Sequence, residues 1–204
     1  AIKNLSEAEK KMLKPVLEVN LEKAEPIAEG PPRPFVKKWT VEELLKAENS
    51  DHTQRNFEQG RKMFAAAACF KCHRFAGEGG TIGPDLTGAG GRFNAQNLLE
   101  SIIEPSKVIS DQYASTMFIL DDGRVVNGRV INLSGKNLMV LTDMANPSKL
   151  TSIDRDTIEE MLPSKSSMMP TGLIDTLTKE EALDLLAFLR SGGDPGHPLF
   201  QKKD

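Results

Sequence analysis

Apolar positions change their period three times along the 204-residue chain. In residues 56–68, Phe57, Gly60, Met63, Phe64 and Ala67 recur three or four apart, which predicts an amphipathic helix ending in four alanines. Gly60 presents no side chain there, so a second helix could cross at that point in close contact. Asn94 caps a further predicted helix through Leu98, Leu99, Ile102 and Ile103, and Pro105 stops it. From residue 113 to 162 the period shortens towards two. Strands are predicted over residues 113–120, 124–132, 137–142, 150–153 and 157–162, with turns at Asp122-Gly123 and Ser134-Gly135-Lys136 and a bend or bulge at Gly128. Five short strands in this spacing suggest a small antiparallel β-barrel. The helical period returns after Thr178-Lys179-Glu180-Glu181, a capping box, with Leu183, Leu186, Ala187 and Arg190 on one side and Gly192 and Gly193 at the end.

The N-terminal region follows a looser plan. Ser6-Glu7-Ala8-Glu9 caps a helix carrying Met12, Leu13, Val16, Leu17 and Leu21, which Pro15 kinks or splits; residues 29–34 form a stiff proline-rich linker, and Thr40-Val41-Glu42-Glu43 caps another short helix beside Trp39. The expected organisation is an N-terminal helical extension over residues 1–33, a helical domain built from residues 34–110 and 165–200, an inserted barrel over residues 111–164, and a short tail at 201–204. The two helical pieces together amount to about one small domain.

Charge excludes some partners. With 26 basic and 29 acidic residues the net charge is -3, which gives no general attraction to nucleic acid or anionic lipid. No apolar run approaches the roughly 18 residues of a membrane span, and residues 1–14 lack the basic-then-apolar order of a signal peptide, so the expectation is a soluble chain, matured or cut from something larger. Residues 53–92 run against the overall balance, with six basic and three acidic residues. The inserted strands carry no interleaving of basic and aromatic residues, so a structural or docking role is expected for them rather than nucleic-acid binding.

Both cysteines of the chain, Cys69 and Cys72, fall in Cys69-Phe70-Lys71-Cys72-His73. C-x-x-C-H is the attachment sequence of c-type haem: two thiols add to the two vinyl groups and the adjacent histidine lies under the iron. A structural zinc site wants four ligands, and His52 and His197 are distant in sequence. A thioredoxin-like pair follows a strand, whereas helix precedes Cys69. Free thiols in a chance match are the third alternative. One covalently attached haem c is therefore expected. The glycines that follow, at positions 77, 79, 80, 83, 88, 90 and 91, lack the Lys-Ser ending of a P-loop and suit backbone wrapped closely around a flat cofactor.

A sixth iron ligand must come from elsewhere. Met63 lies on the first helix, Met117 and Met139 in strands, Met144 and Met161 at strand ends, and Met12 in the extension. Met168-Met169-Pro170-Thr171-Gly172 differs: it is a polar loop where a large apolar side chain has no obvious packing partner, and the proline limits where the thioether can reach. Distal ligation by His52 or His197 is the weaker alternative. A labile sixth position would instead make the chain a haem-based ligand sensor or redox enzyme, although no distal acid–base histidine is apparent.

The order of helix, C-x-x-C-H, glycine loop, helix, Met-Pro loop and helix resembles small cytochromes c. That resemblance implies a mainly α cytochrome c fold carrying the β insertion, α+β overall. It implies that the Pro84 carbonyl in Gly83-Pro84-Asp85-Leu86 accepts the hydrogen bond of His73's second ring nitrogen, and it singles out Met169 as axial ligand, with Met168 the runner-up. More closely, Trp39-Thr40-Val41-Glu42, residues 64–73, residues 83–88, Glu104-Pro105-Ser106-Lys107-Val108-Ile109, Asp122-Gly123-Arg124-Val125-Val126 and Ser167-Met168-Met169-Pro170 resemble the planctomycete and verrucomicrobial haem-binding domain. The resemblance covers roughly residues 34–200. It implies a monohaem electron-transfer module, not itself an enzyme, exported to the periplasm or beyond, and working with a redox protein or a fused dehydrogenase domain. The oligomeric state is left open.

Overall fold

The computed structural model describes residues 31–50, 54–144 and 146–201. The extension expected over residues 1–33 lies outside the described residues as far as residue 30, as do Met12, His52 and most of the 201–204 tail.

Among the described residues, five helices share one core: α1 (Val41–Ser50), α2 (Phe57–Ala66), α3 (Ala89–Arg92), α4 (Ala95–Ile103) and α5 (Lys179–Arg190). Their starts follow from local chemistry. The Asn56 side chain accepts from the Gln59 N–H at 3.0 Å, the Asn94 side chain from Asn97, and Thr178 and Glu181 form a complete capping box. Thr40 and Glu43 cap α1 in the same reciprocal way. Helix α5 is the buried one, with Leu183, Leu185 and Leu186 fully enclosed. It crosses α2 at Gly60, where a Cβ would stand 2.6 Å from the Cβ of Phe188 and closer still to the Asp184 carbonyl. Around the crossing Phe188 meets Phe57 at 5.2 Å, Phe64 at 5.9 Å and Phe75 at 4.7 Å between ring centroids. Trp39 closes the other side, donating its indole N–H to the Leu177 carbonyl at 3.0 Å. No described helix is long and apolar enough to cross a membrane.

Among the described residues there are also seven strands. Two form a small hairpin, β1 (Arg74–Phe75) and β2 (Glu78–Gly79). The others are β3 (Thr116–Leu120), β4 (Val125–Ser134), β5 (Asn137–Leu141), β6 (Thr151–Asp154) and β7 (Ile158–Pro163), antiparallel in the order β6-β5-β4-β3-β7. They bury a second, smaller core of Phe118, Leu120, Leu138, Val140 and Ile153.

This sheet corrects the expected fold. The barrel does not close: β7 pairs with β3, β6 with β5, and the two edge strands do not pair with each other. The physical reason is that apolar–polar alternation sets which face of each strand is buried and does not make two edges pair. A single 3₁₀ turn, Arg155–Thr157, carries the chain from one edge to the other, and an open cleft of about 460 Å³ lined by Leu133, Leu138, Ile158 and Met161 lies between the β4–β5 hairpin and β7. With this open sheet beside five short helices, the molecule fits only loosely with a mainly α cytochrome c fold. The expected irregularity at Gly128 is displaced too. Gly128 stays in register opposite Thr116, and the shift falls between Val130 and Asn132, leaving Ile131 as the extra residue. Gly128 instead lets the Leu141 backbone and the Val140 side chain approach.

Two predictions come from the α2–α5 crossing. Gly60→Ala should destabilise the protein by about 1–3 kcal/mol in thermal or urea unfolding, although alanine is the better helix former by about 1 kcal/mol, because its methyl overlaps α5 backbone; an unchanged midpoint would mean that the helices do not meet there. Asp184 on the same face is half-buried and accepts the Asn56 N–H at 3.0 Å. Desolvation, with help from Glu180 and Glu181, raises its carboxyl above 3.8 despite Asn56 and Arg55. A raised carboxyl pKa means that the folded state binds the proton more tightly, so the ionised group costs stability as pH rises through that value. Asp184→Asn keeps an oxygen for Asn56 and should raise the midpoint at pH 7, with the gain shrinking as pH falls towards about 4; a gain independent of pH would refute this origin.

Candidate functional site

Helix α2 ends where the cysteine motif begins. Ala68 adopts a left-handed conformation (φ 55°), and the chain then makes one 3₁₀ turn, Cys69–Lys71, with the Cys72 and His73 N–H groups both donating to the Cys69 carbonyl at 3.2 and 2.9 Å. Residues i and i+3 of such a turn eclipse one another, so Cys69 and Cys72 lie on one side and His73 follows directly. Cys69 and Cys72 are not joined in a disulfide.

The glycine loop packs on this turn. The N–H of Gly80 donates to the Phe70 carbonyl at 2.7 Å and that of Gly83 to the Cys72 carbonyl at 2.8 Å. A Cβ at Gly79 would overlap the His73 carbonyl, one at Gly80 the Lys71 carbonyl, and one at Gly83 would stand 2.6 Å from Cε1 of the His73 ring. Three of the seven glycines are thus explained by the Cys–His segment itself. Gly90 serves the contact with the last turn of α5, at the Arg190 carbonyl, while positions 77, 88 and 91 face open space.

His73 is held by this loop. Its Nδ1 lies 2.9 Å from the Pro84 carbonyl oxygen. A carbonyl only accepts, so Nδ1 carries the proton and Nε2 is left with its lone pair. Burial lowers the pKa of the ring, partly offset by the Pro84 bond, which favours the neutral, ligating form. The Cys69 thiol is pushed up to about 12 by burial although part of the residue reaches solvent, and desolvation raises Cys72 against the pull of Lys71.

Two features of the site carried no motif. Asp85 accepts from the Thr87 N–H at 2.8 Å and from its hydroxyl at 2.6 Å, and Thr87 Oγ1 in turn accepts the Ala76 N–H at 2.9 Å. With the Leu86 N–H on the Arg74 carbonyl, this Asx turn fastens the Pro84 segment to the β1–β2 hairpin. The spacing Asp-x-Thr was its only trace in the sequence. Likewise Arg61 on α2 pairs with Glu78 on β2 at 2.9 Å.

Met169 lies on a different segment, after β7. Its N–H donates to Ser167 Oγ at 3.1 Å, and it is half-buried, as is Met168. Of the other candidates, Met63 is in the helical core, Met117, Met139 and Met144 are half-buried, and Met161 is exposed beside the cleft of the sheet. His197 is occupied as a cap: Nδ1 accepts the Leu199 N–H at 3.3 Å.

These residues fit a haem. Among the described residues no three His, Cys, Asp or Glu side chains assemble as a centre for a bare ion. A lone imidazole with two thiols beside it suits a group that brings its own equatorial donors. Cys69, Phe70 and Leu86, in and just after the motif, are only partly buried against the helical core, which leaves apolar surface suited to a flat apolar group.

Comparison with known proteins agrees with this chemistry. No curated protein matches the chain. Residues 57–120, from the start of α2 through the cysteine motif, glycine loop and α4 to the end of β3, match the family model of cytochrome c, which supports a cytochrome c module there, a haem-binding electron-transfer domain.

Proposed function

We propose that the chain is a monohaem c-type cytochrome module of the planctomycete and verrucomicrobial haem-binding type, a one-electron carrier rather than an enzyme. Cys69 and Cys72 would hold the haem through thioether bonds, and His73 and Met169 would be its axial ligands. When bound, the group supplies an iron that alternates between two oxidation states. The observation that carries the reading is the His73–Pro84 contact. A ring whose Nδ1 is committed to a backbone carbonyl, and which is pressed against Gly83, can neither swing away nor protonate easily at Nε2.

The remaining residues supply position and surroundings. Helix α2 and the 3₁₀ turn set the thiols, the glycine loop fixes the imidazole, and methionine on the far side would favour the reduced state more than a second histidine would. Covalent attachment of this kind implies export, to the periplasm or an equivalent compartment, and the partner would be a redox protein or a fused dehydrogenase domain. The basic excess of residues 53–92 favours an acidic partner surface.

Intact-mass measurement with visible spectroscopy tests the proposal. The expected result is the polypeptide plus one haem, a low-spin ferric spectrum with the weak long-wavelength methionine-to-iron band, and reversible one-electron voltammetry. Cys69→Ser with Cys72→Ser should lose the covalent adduct, and Met169→Ala should lose the band and lower the potential. A polypeptide mass without haem after expression with a haem-attachment system would overturn the proposal, and loss of the band in Met168→Ala alone would move the ligand to Met168.

A further inference from the structure

We propose that Ser106 and Ser167 are positioning residues that hold the Met169 segment against the end of α4, a role that rests on Met169 being the axial ligand. The segment is anchored at both ends. Downstream, the Asp175 N–H closes a turn on the Gly172 carbonyl at 3.1 Å, and the Asp175 carbonyl accepts from Val36 and Lys37 at 2.8 and 3.1 Å. Upstream, β7 leaves the sheet beside the start of β3, with Pro163 opposite Thr116 and the Ser164 N–H on the Ser115 carbonyl at 2.9 Å. Three residues on, the chain is caught by the helical body: the Ser167 N–H donates to Ser106 Oγ at 3.0 Å, and Ser167 Oγ accepts the Met169 N–H at 3.1 Å.

Ser106 is itself well placed to serve as a post. It follows Pro105, which is buried, and sits in a turn closed by the Lys107 N–H on the Glu104 carbonyl at 2.8 Å, with the Lys107 ammonium bridging Glu104 and Glu100 at 3.0 and 3.3 Å. The two hydroxyls thus form a relay from the end of α4 to the Met169 backbone. Between Met169 and the downstream turn, Pro170 offers no N–H and restricts the residue before it. The Met169 N–H is thus held from the upstream side, by Ser167 Oγ, and this relay limits how far the thioether can withdraw.

Imidazole competition in the ferric full chain with haem attached measures that limit. Each of Ser106→Ala and Ser167→Ala should bind added imidazole about fivefold more tightly than the parent, the effect of one ordinary hydrogen bond, with a weakened methionine-to-iron band and faster amide exchange at Met169. Ser106→Thr, which keeps the oxygen, should behave as the parent. So should Ser101→Ala, whose hydroxyl bonds only the Asn97 carbonyl within α4. If Met169→Ala abolishes the band while both serine variants bind imidazole as the parent does, the relay has no positioning role. If Met169→Ala leaves band and affinity unchanged, the ligand assignment fails and this proposal with it.

Discussion

The contact on which the rest of the molecule depends is the close backbone approach of α2 and α5 at Gly60. Helix α2 is only ten residues long, and an isolated helix of that length is marginal in water. Its stability must come from the apolar face it lays on α5, and a side chain at position 60 would hold the two backbones apart. Because the cysteine turn begins immediately after α2 ends, this crossing also decides where Cys69 and Cys72 stand relative to the core. Phe75, just beyond the turn, returns to the same crossing and packs on both Phe64 and Phe188. The segment bearing the thiols and His73 is thus pinned at its two ends by one aromatic cluster.

Within those ends the loop is fixed by short polar contacts rather than by further hydrophobic packing. Glycine at 79, 80 and 83 allows backbone to lie against backbone and against an imidazole ring, where any side chain would push the layers apart. The Asp85–Thr87–Ala76 contacts then lock the proline segment to the hairpin, and Pro84 offers the ring an acceptor on a residue whose own φ is fixed. A histidine oriented in this way has one nitrogen spoken for and one bare. That arrangement suits a metal held by a single imidazole.

The sequence made the helices legible because their signals are local. Asn94 and the Thr40–Glu43 and Thr178–Glu181 boxes mark where α4, α1 and α5 start, and all three cap as expected. Strand positions were legible for the same reason, to within a few residues at their ends. Closure of the sheet was not, because alternation of apolar and polar residues reports which face of a strand is buried and says nothing about whether two distant edges meet. Ile131 shows the limit sharply: it is an apolar residue in an apolar run, yet it is the extra residue of a bulge and nearly half exposed. Ser106 and Ser167 were invisible for another reason. A loop serine that holds a distant N–H has the same composition signature as one that faces water.

The inserted strands interrupt the helical body at little cost to it, and the geometry of their neck explains how. Strands β3 and β7 pair with each other along their length, so the insertion leaves and re-enters at adjacent points, Ser115 and Ser164. The helical body therefore experiences the insertion as a closed loop whose ends are already together, and lengthening such a loop adds only slowly to its closure entropy. The sheet has a core of its own in Phe118, Leu120, Leu138, Val140 and Ile153, sharing no member with the helical core. Two links join it to that core, residues 104–115 on the way in and Ser164 to Met169 on the way out, and the Ser167 N–H on Ser106 Oγ ties them together. Displacement of this neck by the sheet would reach the Met169 backbone through the Ser106–Ser167 contact, where the two links meet.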